Sequence, residues 1–188
     1  MLFLFICWII YFFMHSLLAA ETVKHWFKVV FNLQGRYYRL AYNLLNLLAL
    51  SALLCLHQLT ASTLFFTTNN LSVVAALLVS VSGLAIMLAA AKAYDLPEFF
   101  GFKQETKMRL LTTGLHQYVR HPLYAGTLLA CFGICILFPY WKNIVLLLLM
   151  FTYILIGIQL EEKKIVAAFG NEYKIYQKKV KSLIPGLL

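Results

Sequence analysis

The sequence predicts an all-α integral membrane protein, with about five transmembrane helices and a C-terminal amphipathic helix on the cytoplasmic side. Three observations carry that prediction. Of 188 residues, 62% are hydrophobic and only 12% charged, and the mean hydropathy is +0.80; a soluble domain is about 45–50% apolar and about 25% charged. The apolar residues gather into unbroken runs of the length a helix needs to cross a bilayer, about 20 residues, where barrel strands would alternate over about 10. Finally, 15 of the 16 basic residues fall at one end of those runs, the asymmetry that orients a membrane protein.

The first run, Leu2–Ala20, has no positive residue before it and no small-x-small cleavage site after it. It is expected to stay as a helix and not to leave as a signal peptide. His15 lies near its inner end; it reads equally as an acceptor-side ligand or proton acceptor and as a satisfied helix-end histidine. The second run is Tyr38–Leu56, followed by the polar, uncharged loop Gln58–Asn70. The third, Leu71–Ala93, carries Ala85, Ala89 and Ala93 every fourth residue, a small-residue stripe expected to admit a close neighbour. The connection from Tyr94 to His121 holds Asp95-Leu96-Pro97, Gly101 and Gly114 and is expected to fold across the inner face. The fourth run, Leu123–Phe138, is short and borrows Pro122 and Pro139 at its ends; the fifth is Asn143–Leu160. Beyond Leu160 a Lys-rich amphipathic segment reaches about Ser182, with Ile165, Ala168, Phe169, Tyr173, Tyr176 and Val180 on one face.

With five spans, the charge asymmetry places the N-terminus outside and the C-terminus in the cytoplasm. Topology and attraction to anionic lipid account for most of the basic residues. Nucleic acid is excluded as a partner, because the charges are split among membrane-proximal loops. Cys7, Cys55, Cys131 and Cys135 lie in the apolar runs without zinc-ligand spacing, so they are expected to pack and no metal is expected. His25 and His57 are expected to be interfacial without a role.

The chemistry concentrates between Gly114 and Gly170. Arg120-His121-Pro122-Leu123-Tyr124 sits just before the fourth run, and Glu161-Glu162 just after the fifth. If those runs form a hairpin, both clusters return to one membrane face. Pro122 suits the first helical position, and a helix start beside Arg120 and His121 is an anion-receptive corner. The carboxylates, expected to end the fifth helix, suit cations. Two readings stay open: a ligand site, since ionisable groups at a membrane edge are costly, or an Arg–Glu clamp.

These residues resemble a known family. Leu110-Leu111-Thr112-Thr113-Gly114-Leu115, Tyr118 to Gly126, the Glu pair, Phe169-Gly170-Asn171-Glu172-Tyr173 and Pro185 are similar to the integral-membrane methyltransferases, which include isoprenylcysteine carboxyl methyltransferase and the phospholipid N-methyltransferases. The resemblance implies a single membrane methyltransferase domain over 1–188, with a cofactor-binding core at 94–185 and S-adenosylmethionine as cofactor. It places that cofactor on Arg109, Leu110, Leu111, His116, His121, Pro122, Leu123, Tyr124 and Glu161. His116 stands where Tyr is common, and Arg109 where a small polar residue is common. The charges of S-adenosylmethionine agree with the residue reading, which adds Glu162 to the cofactor set. Tyr124 or Tyr173 can face a sulfonium, a contact of about 0.5–2 kcal/mol.

For the acceptor, Gly157 stands where the isoprenylcysteine enzymes carry an Arg one turn before the Glu pair. His15 to Ala19, Lys24 to Phe27, Tyr38 to Asn43 and Phe100 to Gln104 resemble the bacterial methanethiol S-methyltransferase branch and its NnrU-type relatives. That resemblance implies S-methylation of a small thiol such as methanethiol, in the bacterial inner membrane with the site facing the cytoplasm. His15, Gln104, Arg120 and Glu161 are its catalytic candidates. An isoprenylcysteine or phospholipid acceptor, or a non-catalytic accessory protein of the same fold, stays open as an alternative.

Overall fold

The apolar runs become helices, in the order expected. In the computed structural model, which describes residues 1–103 and 109–187, four helices are long and apolar enough to cross a membrane. They are α1 (Leu2–Ala19), α3 (Gly35–Leu59), α4 (Asn70–Ala91) and α7 (Trp141–Phe169), with α2 (Glu21–Phe31) between the first two. The short α5 (Leu96–Phe100) and one 3₁₀ turn (Gly114–Gln117) fall in the connection before α6 (Pro122–Leu137), and α8 (Asn171–Lys179) follows α7. The 16-residue α6 is about 24 Å long at 1.5 Å per residue, against a hydrocarbon core of about 30 Å.

The chain divides into two compact units, Met1–Ser62 with Asp95–Lys107 and Thr63–Tyr94 with Met108–Leu188. In the first, α1 and α3 are joined by buried Trp8, whose indole N–H donates to Nδ1 of His57 at 3.2 Å. His57 is therefore a buried packing partner, not an interfacial residue. In the same unit Tyr38 donates to the Leu18 carbonyl at 2.6 Å, and the Arg39 guanidinium to the Glu98 carbonyl at 2.6 Å.

The second unit is built around the α4–α6 contact. Ala76, Gly83 and Ala90 of α4 are buried, and opposite them lie Gly126, Ala130 and Gly133 of α6. A Cβ added at Gly83 would lie 2.7 Å from the Gly126 carbonyl oxygen and against the Ala130 amide; one at Gly126 would lie 2.6 Å from the Met87 amide. The two backbones thus touch directly, as small residues allow. The stripe expected from Ala85, Ala89 and Ala93 is not the one used: all three are exposed, and Ala93 lies past the end of α4. The buried stripe recurs every seven residues, two turns of helix, and so stays on one face.

At the opposite end of the unit from Glu161, α6 turns into α7 through Phe138–Tyr140, pinned by Phe65 N–H to Pro139 O (2.6 Å) and Trp141 N–H to Thr63 O (3.2 Å). A second correction concerns α7. It does not stop at the Glu pair but runs seven residues further to Phe169, since nothing from Lys163 to Phe169 breaks a helix. It ends at Gly170, whose φ of 56° and ψ of −125° suit glycine alone. Glu161–Phe169 extend past the apolar run, and α8 then folds back on α7.

Candidate active site

The segment before α6 is shaped by the C-terminal tail. Val119 pairs in parallel with Lys181. The amides of Arg120 and His121 donate to the carbonyls of Lys181 (2.8 Å) and Ser182 (3.0 Å). Leu183 completes the strap by packing into a small core with Ile154 and Ile158. His121 caps α6, with Pro122 in its first turn, where the missing N–H costs nothing.

This arrangement brings Arg120, His121, Pro122, Tyr124, Glu161 and Glu162 together, but the two carboxylates do different things. Glu162 is enclosed. Its Oε1 accepts from Arg120 Nε (2.7 Å), His121 Nε2 (3.0 Å) and the Tyr173 hydroxyl (3.1 Å), and its Oε2 from the Gln177 amide (2.8 Å). Arg120 Nη1 donates in turn to the carbonyls of Gln177 and Val180. Burial alone would raise the Glu162 pKa; the hydrogen bonds from His121 and Arg120, with the Arg120 charge, outweigh it and hold the group at about 2. The Arg–Glu clamp therefore exists, and it fastens α7 to α8 and the tail.

Glu161 is open. Its side chain is 43% exposed, against 15% for Glu162. Its Oε2 accepts from the Tyr124 hydroxyl at 3.1 Å and lies 3.8 Å from His121 Nδ1. The Nε2 proton of His121 is directed at Glu162, and its ring stacks on Tyr124 at 5.7 Å. A partly solvated carboxylate, oriented by a hydroxyl and beside an aromatic face, suits a cationic group.

Other expected site residues lie around this centre or elsewhere. Leu123 is half-buried on the first turn of α6, Leu110 and Leu111 are half-buried, and Arg109 is exposed. His116 is buried in the 3₁₀ turn, its Nε2 3.5 Å from the Tyr94 hydroxyl and its carbonyl accepting from Tyr176. Burial, then the neighbouring His121, lowers the His116 pKa; burial likewise raises Tyr94 and pushes Tyr176 up to about 12. His15 belongs to the first unit. Asn46 Nδ2 donates to the Tyr42 carbonyl (2.8 Å), which turns Asn46 Oδ1 toward His15 Nδ1 (2.9 Å), while the Tyr42 hydroxyl lies 3.1 Å from His15 Nε2. Gln104 lies outside the described residues. Sequence reasoning does not single out Gln177 or Tyr94; for Gln177, its place one helical turn after Tyr173 is the available signal. Among the described residues, no group of three or more His, Cys, Asp or Glu is placed to hold a metal ion.

Residues 71–172 match the phospholipid methyltransferase family. The chain belongs to that family. Its relatives include methanethiol S-methyltransferase of Crocosphaera subtropica, 39% identical over 46% of this chain and 33% of that protein. Methanethiol S-methyltransferase of Pseudomonas deceptionensis is 29% identical over 92% of this chain and 68% of that protein. A protein-S-isoprenylcysteine O-methyltransferase of Schizosaccharomyces pombe is 36% identical over 40% of this chain and 33% of that protein. The chain thus spans between about a third and two thirds of the length of the curated relatives it matches. No solved structure matches it. As a family member it is classed with the membrane methyltransferases.

Proposed function

We propose that this chain transfers a methyl group from S-adenosylmethionine to a small thiol such as methanethiol, at the cytoplasmic face of a bacterial inner membrane. The observation that carries the acceptor is the reach of the similarity. The likeness to the Pseudomonas methanethiol enzyme runs over 92% of the chain, whereas the likeness to the isoprenylcysteine enzyme covers 40%. The resemblance noted at Gly157 supports the same reading, because no cation stands there for an isoprenylcysteine carboxylate. The orientation, N-terminus outside and C-terminus inside, rests on the 15 basic residues gathered at one end.

The donor set fits S-adenosylmethionine through its cations: Glu161 for the ammonium, and Tyr124 with His121 for an aromatic wall. When bound, the cofactor supplies an electrophilic methyl group on a sulfonium. The chain's own work is to hold and orient. Tyr124 fixes the Glu161 carboxylate by its 3.1 Å hydrogen bond. Arg120 and Glu162 keep α8 and the tail in place over α7. His116, Leu110, Leu111, Leu123, Pro122 and Arg109 complete the proposed cofactor set. His15 and Gln104 are the proposed acceptor-side residues. A thiol attacks as its thiolate, and His15 is the proposed proton acceptor.

The test is methyl transfer from labelled S-adenosylmethionine to methanethiol, a farnesylcysteine analogue and phosphatidylethanolamine, side by side. Transfer to methanethiol and not to the farnesyl analogue is expected. Transfer to the farnesyl analogue alone overturns the argument from Gly157, and transfer to the phospholipid alone overturns the thiol. Calorimetry with S-adenosylhomocysteine tests the site: Glu161→Gln should weaken binding by about 1.5–3 kcal/mol, the worth of a hydrogen bond to a charged group. Unchanged affinity would remove Glu161 from the cofactor set.

A further inference from the structure

In the first unit, α2 follows directly on the apolar α1 and is amphipathic. Trp26, Val29 and Val30 are exposed on it, as expected of a helix lying in the headgroup layer with its apolar side toward the acyl chains. Glu21, Lys24, His25 and Lys28 occupy the other arc and line a cleft of about 340 Å³ with Gln34, Gly35, Tyr38 and Arg39 of the α2–α3 junction. Three cations thus face one carboxylate.

The cleft is built, not incidental. Its floor is Tyr38, 6% exposed, held by its hydroxyl on the Leu18 carbonyl and by the Phe27 ring at 5.4 Å. Arg39 is fixed by its hydrogen bond to Glu98 O and by Gly101, whose missing side chain admits Arg39 Cβ. Lys24 is steadied by Glu21 at 2.8 Å. Lys28 is exposed beside them on the next turn. The volume suits a small polar ligand, the charge suits an anion, and the amphipathic α2 that lines the cleft suits one that arrives from the headgroup layer.

We infer that this cleft binds the phosphate of one anionic phospholipid headgroup, with Lys24, Lys28 and Arg39 as its cationic ligands. Diffuse attraction would spread over every basic loop; a site holds one lipid and depends on these residues alone. The inference is independent of the methyl acceptor.

The experiment uses the full chain, extracted from bilayers of equal phosphatidylcholine and phosphatidylglycerol, washed in detergent and weighed by native mass spectrometry. One retained phosphatidylglycerol per chain is expected. Lys24→Gln with Lys28→Gln should lower its retention by about 30-fold, at about fivefold per cation near an anionic surface. Lys24→Arg with Lys28→Arg should keep it, as should the control Lys178→Gln with Lys179→Gln. Equal loss from both Gln pairs would reduce the effect to diffuse charge and overturn the site. Loss from the Arg pair as well would show that the substitutions disturb the fold and not the charge, and would also count against it. If no lipid is retained while inorganic phosphate raises the melting temperature of the wild type but not of the Lys24–Lys28 Gln pair, the cleft holds a soluble anion and the lipid assignment fails.

Discussion

The second unit is held together in two opposite ways. Between α4 and α6 the contact is made by removing side chains: Gly83, Gly126 and Gly133 leave backbone against backbone. Between α7, α8 and the tail it is made by adding polar groups, with four side chains converging on the Glu162 carboxylate. The first contact has no atoms that can move aside, so it is rigid and intolerant of any added carbon. The second consists of a few directional bonds at a membrane edge, and it can be loosened one bond at a time. A scaffold of the first kind with a closure of the second fits the proposed binding and release of S-adenosylmethionine.

The largest effect should come from the rigid side. Gly83→Val places methyl groups where the Ala130 amide and Gly126 carbonyl stand, and overpacking that cannot relax costs upward of about 3 kcal/mol. A thermal melt in detergent should show it; an unchanged melting temperature would mean the helices can part freely. Next, Glu162→Gln leaves Arg120 without its carboxylate and should weaken the closure by about 1.5–3 kcal/mol. Faster tryptic cleavage after Lys178, Lys179 and Lys181 would report it, with α4 and α6 untouched. Equal destabilisation of α4 would erase the distinction between the two contacts. Tyr173→Phe, one bond of the same cluster, should cost about 0.5–1.5 kcal/mol, visible in the same cleavage assay as a smaller change.

Near neutrality the smallest effect is that of pH. The Glu162 pKa is depressed to about 2, so its contribution is complete above the ordinary carboxylate range and lost as pH falls through about 2. Hydrogen-exchange protection of α8 should therefore be flat from neutrality to about pH 5, by that linkage, and decline below it. Glu162→Gln should lack the decline, and a wild-type decline already near pH 6 would place the titration on another group.

Much of this was legible in the sequence. Long apolar runs fix five helices, because a bilayer accepts little else, and Arg120-His121 meets Glu161-Glu162 because two consecutive spans must return to one face. The division of labour within the Glu pair was not legible. Neighbours on a helix point about 100° apart, and which one faces α8 depends on the reversal at Gly170. The end of α7 was readable, since Gly170 is the first residue to interrupt a helix-forming stretch. The α4 stripe was not: small residues recur on more than one face, and only the position of α6 chooses Ala76, Gly83 and Ala90 over Ala85 and Ala89.

The strap of Lys181, Ser182 and Leu183 sets a schedule for biosynthesis. Arg120 reaches Val180 across 60 positions, and its amide reaches Lys181. At about 5–20 residues per second, several seconds separate the emergence of the two partners from the ribosome. During that interval α6 and α7 can enter the bilayer, while Arg120 and His121 wait at its surface with their bonds to the tail unmade. The carboxylate cluster is thus assembled last, after the insertion machinery has handled the helices it joins. A nascent chain stalled before Lys181 would be inserted yet have no finished site.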